Sequence, residues 1–402
     1  MTGLSAERQR VLAARVGLVR SMERGGLVLS ARMAEAFLNV PREPFVPVFY
    51  RREGDRFSPW AGTRPYTEAW LAQVYADDSL ITEVDGVHAE DAGPGPVTGV
   101  PTSSSTAPGL MADMLDALDV RQGTRVLEIG TGSGYNAALL CRLAGQAHVT
   151  TVDRSKRLTD TARDRLEALG MAPTVGCADG AEGAPEEAPF DRVVATCSVR
   201  RVPAAWFDQC APGGLMVVPV KGALAGGAIA WLQKRADGTA VGRFLHTPAA
   251  FMPLLTGPQS APTPPEIPET PEVPEAEVGS VRRVSELSGS VLDDWTFSFF
   301  AYLHLSASTV RSFRQGPDGT HVTVLFDPLD NSYARVTDHP SGPGATVLTS
   351  GCRDLWEPIE KAHAHWLGLH RPRREWFTLH AAPDRQTVAY TAPDGREWRW
   401  DL

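Results

Sequence analysis

The stretch Val126-Leu127-Glu128-Ile129-Gly130-Thr131-Gly132-Ser133-Gly134-Tyr135 constrains this chain more than any other. Residues 125–129 form a short apolar run broken by one acid, the pattern of a buried strand. Three glycines alternate with Thr131 and Ser133, and Ala137, Ala138, Leu139, Leu140 and Leu143 then take up helical spacing. Strand, glycine turn and helix open a nucleotide-binding βαβ unit, in which the backbone turns sharply and lies against a ligand. The spacing is G-x-G-x-G rather than the G-x-G-x-x-G of a dinucleotide fold. A glycine turn can also be purely structural, but here the next segments support it. Val149-Thr150-Thr151-Val152 reads as a second strand ending in Asp153. An acid about 20 residues beyond the glycines suits a ribose diol. Asp179-Gly180 follows a third candidate strand.

From 123 to 219 the pattern alternates. Strands are predicted at 125–129, 149–153, 174–177, 191–196 and 214–219, with a helix at 158–169 presenting Leu158, Ala162, Leu166 and Leu169 on one face. This is the pattern of an α/β chain with a doubly wound, Rossmann-like sheet, whose ligand crevice opens at the C-terminal ends of the strands. Glu128, Asp153 and Asp179 all fall near such ends, where acids can take a ribose, an adenine amino group or a cationic sulfonium or ammonium. For Asp153 a helix N-cap is the competing structural role.

The chain has 402 residues, room for two domains, and is 43% hydrophobic and 22% charged. A net charge of -9 argues against a general nucleic-acid partner. No apolar run is long enough for a membrane span, and Arg8 and Arg10 precede no apolar core of a signal peptide. Five dispersed cysteines without a C-x-x-C pair suit reduced thiols in a cytoplasmic protein, with no metal site expected. A monomer is the expected state.

Residues 5–39 have helical spacing, and the first hundred residues are expected to form a helical cap and a substrate-side segment. Residues 51–73, rich in Arg, Trp, Tyr and Pro, are candidates for receiving a substrate, and 86–101 is expected to be a flexible insertion ending near Val100. Ser103-Ser104-Ser105-Thr106 then precede the apolar run Leu110, Met111, Met114, Leu115 and Leu118, so a hydroxyl there would serve as a helix N-cap. A hydroxyl-rich helix start also attracts a carboxylate.

Ala195-Thr196-Cys197-Ser198-Val199-Arg200-Arg201 follows the fourth strand. Arg200 and Arg201 are either carboxylate-binding cations or solvated surface. Cys197 has no histidine nearby in sequence and is not expected to be a nucleophile. The nucleotide-binding unit is expected over 101–256, a Pro/Glu-rich linker over 257–280, and an α+β domain over 281–402 whose expected use is substrate recognition. That last region carries aromatic and β-branched runs and one clear helix at 355–367. His363 and His365, two residues apart, diverge on a helix and are read as surface histidines.

The glycine stretch resembles motif I of the S-adenosylmethionine (SAM) methyltransferases, and most closely that of the protein-L-isoaspartate O-methyltransferases. Val40-Pro41-Arg42-Glu43-Pro44-Phe45-Val46-Pro47, Tyr75-Ala76-Asp77-Asp78-Ser79-Leu80, Pro189-Phe190-Asp191 and Pro212-Gly213-Gly214 match other motifs of that family, in order, over roughly residues 30 to 225. The resemblance implies a carboxyl O-methyltransferase that uses SAM and releases S-adenosylhomocysteine. It implies cofactor contacts from Ser103, Glu128, Gly130, Thr131, Gly132, Gly134, Tyr135, Asp153, Arg154, Asp179 and Gly180. Substrate contacts would come from Val100, Ser198, Arg200 and Arg201. The family's T-I-S-Q/A-P serine, aligned on Ala107-Pro108, falls at Thr106, which keeps the hydroxyl and adds a methyl; Ser105 and Ser104 are the alternatives.

The insertion, Thr106 and the C-terminal region depart from the repair enzymes. With them the chain resembles the aspartate methyltransferases that tailor ribosomally made peptides of the lanthipeptide, graspetide and lasso type. That resemblance implies a modified, cyclised precursor peptide as partner and esterification of an aspartate, leading to aspartimide or isoaspartate. Repair of L-isoaspartyl residues is the alternative activity, and a SAM-binding scaffold without turnover is the alternative of another class.

Overall fold

The computed structural model describes residues 2–222, 224, 226–257, 280–306, 308–316 and 319–402. The linker expected at 257–280 falls, over 258–279, outside the described residues.

The core is a ten-stranded sheet. Five neighbours run parallel in the spatial order Cys210–Val220, Phe190–Ala195, Val126–Ile129, Val149–Asp153, Thr174–Cys177. Val126, Leu127 and Ile129 are fully buried, as a strand covered on both faces requires. The chain order reverses around Val126–Ile129, and at such a switch point the loops at the strand ends part to leave a crevice. Helices Tyr135–Ala144 and Lys156–Ala168 flank these strands, the second capped by Ser155.

Beyond Cys210–Val220 the sheet continues antiparallel through Ala228–Lys234, Ala240–Pro248, Phe377–Ala381, Gln386–Thr391 and Glu397–Asp401. The last three strands belong to the region expected to stand apart from 281 onward. They instead complete the sheet of the nucleotide-binding unit, pairing Ala240–Ala381 and Gly242–Leu379. An open edge at Ala240–Pro248 would leave a row of unpaired backbone groups, and this pairing closes it.

The remainder of 281–402 is a five-stranded antiparallel sheet with helices Trp295–Tyr302 and Glu357–Gly368. Trp295–Tyr302 starts at Asp294, whose carboxylate accepts from the Thr296 and Phe297 amides. Phe297, Phe299 and Phe300 are all buried, so no apolar stripe betrays the helix. His363 and His365 are not simply surface residues: they are half-buried, edge-on to Phe297 and Phe300 with ring centroids 5.0 and 5.6 Å apart.

At the N-terminus, helices Thr2–Arg24 and Ala31–Asn39 pack beside a six-stranded sheet built on Leu80–Val84. The insertion at 86–101 is not a loose loop. It supplies the short strands Val87–His88 and Val97–Thr98, and ion pairs Glu90–Arg165 (2.6 Å) and Asp91–Arg157 (2.8 Å) fasten it to Lys156–Ala168. Among the described residues no helix is long and apolar enough to cross a membrane.

Candidate active site

A cavity of about 680 Å³ opens at the switch point, within the size range of small-molecule sites. Its floor is the glycine loop. Gly130 has φ +97°, and a Cβ there would stand 2.5 Å from Thr196 Oγ1, so no other residue fits without displacing Thr196. The Thr196 hydroxyl in turn donates to the Gly130 carbonyl at 2.6 Å and latches the loop. Thr196 went unassigned in the sequence; its place one residue beyond a strand end was the available signal.

Asp153 ends its strand beside this loop. One carboxylate oxygen accepts from the Gly132 amide (3.1 Å) and the other from the Ser155 amide (3.0 Å). Each oxygen keeps capacity for a second donor such as a ribose hydroxyl. Burial raises the Asp153 pKa, opposed by those backbone hydrogen bonds. Glu128 lies under the loop, fully buried, accepting from Asn136 Nδ2 and Thr151 Oγ1, each at 2.7 Å. Burial pushes its pKa up to about 7. Glu128 thus ties the loop's helix to the neighbouring strand while lining the cavity.

The hydroxyl cluster forms a strand, Pro101–Ser105, paired with Leu80–Val84. Strand alternation splits it. Ser103 and Ser105 are buried, Ser103 accepting from Thr82 Oγ1 and Ser105 facing Arg42. Ser104 and Thr106 are half-buried on the cavity side. The N-cap role is absent: Pro108–Ala117 begins at Ala107 without a side-chain cap, and Asp77 accepts from the Gly109 amide instead.

Arg42 holds this strand in place. Its side chain is fully buried, and it donates to the carbonyls of Val74, Ala76, Asp78, Ser105 and Thr106 at 3.0 to 3.2 Å. Burial lowers its pKa to about 10, so it stays charged at neutral pH. The guanidinium also lies 5.8 Å from the Tyr135 ring centroid. Arg42 belongs to a motif quoted above, but nothing local in sequence showed what it would hold.

Ser103, Ser104, Ser105, Thr106, Glu128, Gly130, Thr131, Gly132, Tyr135, Asp153, Arg154 and Gly180 all line the cavity. Six expected residues do not. Gly134, at φ +88°, permits close helix packing, since a Cβ there would meet Ala162 Cβ at 3.0 Å. Asp179 is engaged by the Ala181 and Gly257 amides. Val100 is half-exposed and paired through its backbone to Asp85. Ser198 is buried behind the wall, donating to the Phe251 carbonyl at 3.0 Å, so it positions residues 250–255, which do line the cavity. Arg200 lies off the cavity, and Arg201 donates to the Asp384 carbonyl in the C-terminal extension. Cys197 lines the cavity, but burial pushes its thiol up to about 12, which leaves no thiolate for nucleophilic work. Among the described residues no group of three acids, histidines or cysteines could hold a metal.

Apolar side chains Ile129, Val152, Leu158 and Leu254 beside a carboxylate, a glycine cradle and a hydroxyl strand fit SAM, which joins a flat base and a diol to a charged amino-acid arm.

The comparisons agree. The family model for protein-L-isoaspartate(D-aspartate) O-methyltransferase matches residues 91–259. A protein-L-isoaspartate O-methyltransferase of Ignicoccus hospitalis is 34% identical over 240 residues, covering 59% of this chain and 95% of that protein. One from Methanopyrus kandleri is 34% identical over 245 residues, covering 60% and 91%. A solved structure titled protein-L-isoaspartate O-methyltransferase aligns over 92% of this chain and 96% of its own, with a TM-score of 0.51 and 25% identity, so the likeness reaches into the C-terminal region. With its glycine cradle, Asp153 and hydroxyl strand in one cavity, the chain belongs to the protein-L-isoaspartate(D-aspartate) O-methyltransferase family, whose members are SAM-dependent carboxyl methyltransferases.

Proposed function

We propose that this chain transfers a methyl group from SAM to the free carboxylate of an L-isoaspartyl residue in a peptide or protein. The observation that carries the reading is the hydroxyl strand lying against the glycine loop: a Cβ on Gly132 would come 3.4 Å from the Ser104 carbonyl, and Ser104 and Thr106 line the same cavity as that loop. When bound, SAM supplies an activated methyl on a sulfonium cation. The residues then have to position an acceptor. A carboxylate is ionised at neutral pH, with an ordinary pKa of about 4, so no general base is required. Ser104 and Thr106 donate to its oxygens and fix its approach, Arg42 fixes the strand that bears them, and Phe251 to Leu255 keep water from the reacting groups. The amide nitrogen that follows in the peptide can then attack the ester carbonyl, expelling methanol and closing a succinimide. The test is to offer an isoaspartyl peptide and its aspartyl twin with isotopically labelled SAM and follow both by mass spectrometry. Methyl gain on the isoaspartyl peptide alone supports the reading; gain on neither refutes it.

A second reading is esterification of an aspartate in one defined, cyclised peptide. The fastened insertion at 86–101 favours it, because a rigid wall suits a pre-organised ligand. In that case the cyclic aspartyl peptide gains a methyl and then loses methanol, while its linear form and generic isoaspartyl peptides react poorly.

A further inference from the structure

The C-terminal antiparallel sheet runs in the order Val281–Ser285, Ala345–Ser350, Ser332–Asp338, His321–Asp327, Val310–Gln315. One face joins the main core through Leu325, Ala334, Val336, Ala345 and Val347. Strand alternation puts Arg282, Leu348, Arg335 and Val324 on the opposite face, and the register sets them side by side in one row. No position on that outer face is an Asp or a Glu. The two acids of these strands, Asp327 and Asp338, alternate with it; Asp327 is fully buried and Asp338 accepts from the Gly289 and Ser290 amides. Val322, Val324, Tyr333 and Phe326 form a small apolar cluster on the outer face, apart from the main core. The arginines divide in the same way. On the core side, Arg283 meets Glu360 at 2.8 Å and Asp354 at 2.9 Å, and Arg311 meets Asp293 at 2.7 Å. On the outer face, Arg282 and Arg335 form no hydrogen bond or ion pair among the described residues. Tyr333 is 4% exposed, and its hydroxyl has no hydrogen-bond partner. Burial raises its pKa, and the charges of Arg335 and Arg314 oppose this, so both cations lie near the ring. On a chain of net charge -9, an acidic partner is repelled by most of the surface and drawn to this face.

We propose that this outer face binds an acidic segment of the peptide whose carboxylate is methylated. The inference rests on the reading that the substrate is a peptide. Arg282 and Arg335 stand two strands apart, about 10 Å. Three or four residues of extended chain therefore reach from one to the other. Each guanidinium takes a carboxylate, and Leu348 and Val324 in the same row take the aliphatic stems of the acids. The matched family region ends at residue 259, so this face lies beyond the unit that carries the methyl transfer. Its contribution is selection of the substrate, not chemistry.

Fluorescence anisotropy on the full-length chain tests the face with a labelled peptide of alternating glutamate and threonine and its glutamine twin. The acidic peptide should bind and the twin should not. Arg282→Glu combined with Arg335→Glu should weaken the acidic peptide at least about tenfold and leave S-adenosylhomocysteine affinity unchanged by calorimetry. Equal binding of the two peptides, or an unchanged affinity in the double variant, overturns the proposal. Kinetics tests the link to substrate. An isoaspartyl peptide with a glutamate extension should have a KM several-fold below that of its glutamine-extended twin at similar kcat, and the double variant should erase the difference. Equal KM values overturn the proposal. So does an acidic peptide that binds only after Glu266, Glu269, Glu272, Glu275 and Glu277 are changed to glutamine, because the chain itself then fills the face. Should the double variant lose its thermal unfolding transition, the unaltered protein answers. Its preference for the acidic peptide over the twin must shrink as salt rises, and a constant preference overturns the proposal. Failure to methylate any isoaspartyl peptide would strike the methyl-transfer reading instead, while the anisotropy still decides whether the face takes acids.

Discussion

The guanidinium of Arg42 donates to the Thr106 carbonyl at 3.2 Å and to the Ser105 carbonyl at 3.1 Å, from a position with no solvent exposure. The end of the strand that bears Thr106 is thus held from behind by a charge that never meets water. Removing the guanidinium would leave several carbonyls buried and unpaired, each costing about 1–3 kcal/mol. Arg42→Met, close in volume, should destabilise the fold by roughly 3 kcal/mol or more, read as a lower denaturant midpoint at unchanged slope. A midpoint equal to that of the unaltered protein would remove Arg42 from this role.

Thr106 and Ser104 are half-buried on the cavity wall, whereas the buried Ser105 hydroxyl accepts from Arg42 at 3.4 Å. Thr106→Val retains shape and loses the donor. If that donor works chiefly in the transition state, turnover should drop by up to roughly 100-fold with S-adenosylhomocysteine affinity nearly intact. Thr106→Ser should stay active. Full activity in Thr106→Val would pass the role to Ser104.

Much of this site was legible because it is local. The glycine loop and Asp153 lie within short segments whose periodicity and turn chemistry speak for themselves, whereas the hydroxyl cluster reads locally as a helix N-cap and becomes a strand only through its pairing with Leu80–Val84. What stayed hidden depends on distant partners. Arg42 meets Thr106 across 64 positions, and Ala240–Pro248 meets Phe377–Ala381 across more than a hundred. Arg200 and Arg201 seemed crevice cations because they follow a strand end, but Arg201 is turned outward to Asp384 by a strand pair absent from the local pattern. Trp295–Tyr302 hid for another reason: a helix buried on every side has no stripe to read.

Glu128 gives the fold a pH signature. Its ordinary pKa is 4.5, and burial pushes it up to about 7. Between those values the folded chain keeps a proton that the unfolded chain has released, so stability falls as pH rises through that window, by roughly 3 kcal/mol. Glu128→Gln is neutral throughout and can still pair with Thr151. Without ligand, the variant should show a flatter stability profile between pH 4.5 and 7, measured by denaturant unfolding. An unchanged slope would mean that Glu128 is not protonated in the native state.

The last relationship concerns specificity. Arg165 Nη2 meets Glu90 Oε1 at 2.6 Å, and Arg165 Nη1 donates to the Phe45 carbonyl at 2.9 Å. One arginine therefore joins the insertion, the helix after Asp153 and the N-terminal motif. Glu90 is partly exposed, so loss of the pair should cost the fold no more than about 1 kcal/mol. Its effect on substrate should be larger, because Asp85, Gly86, Pro101 and Thr102, at the two ends of the insertion, line the cavity. Freed of Glu90, that wall must be ordered anew by each peptide, which weakens binding by the entropy of ordering. Glu90→Ala should raise KM for peptide several-fold and narrow the preference between a constrained peptide and its linear form. Affinity for S-adenosylhomocysteine should hold, since Gly132 and Asp153 are untouched. Steady-state kinetics on the two peptides, paired with calorimetry, separates these quantities. If KM and preference stay put, the fastened insertion supports the fold alone and has no part in reading the substrate.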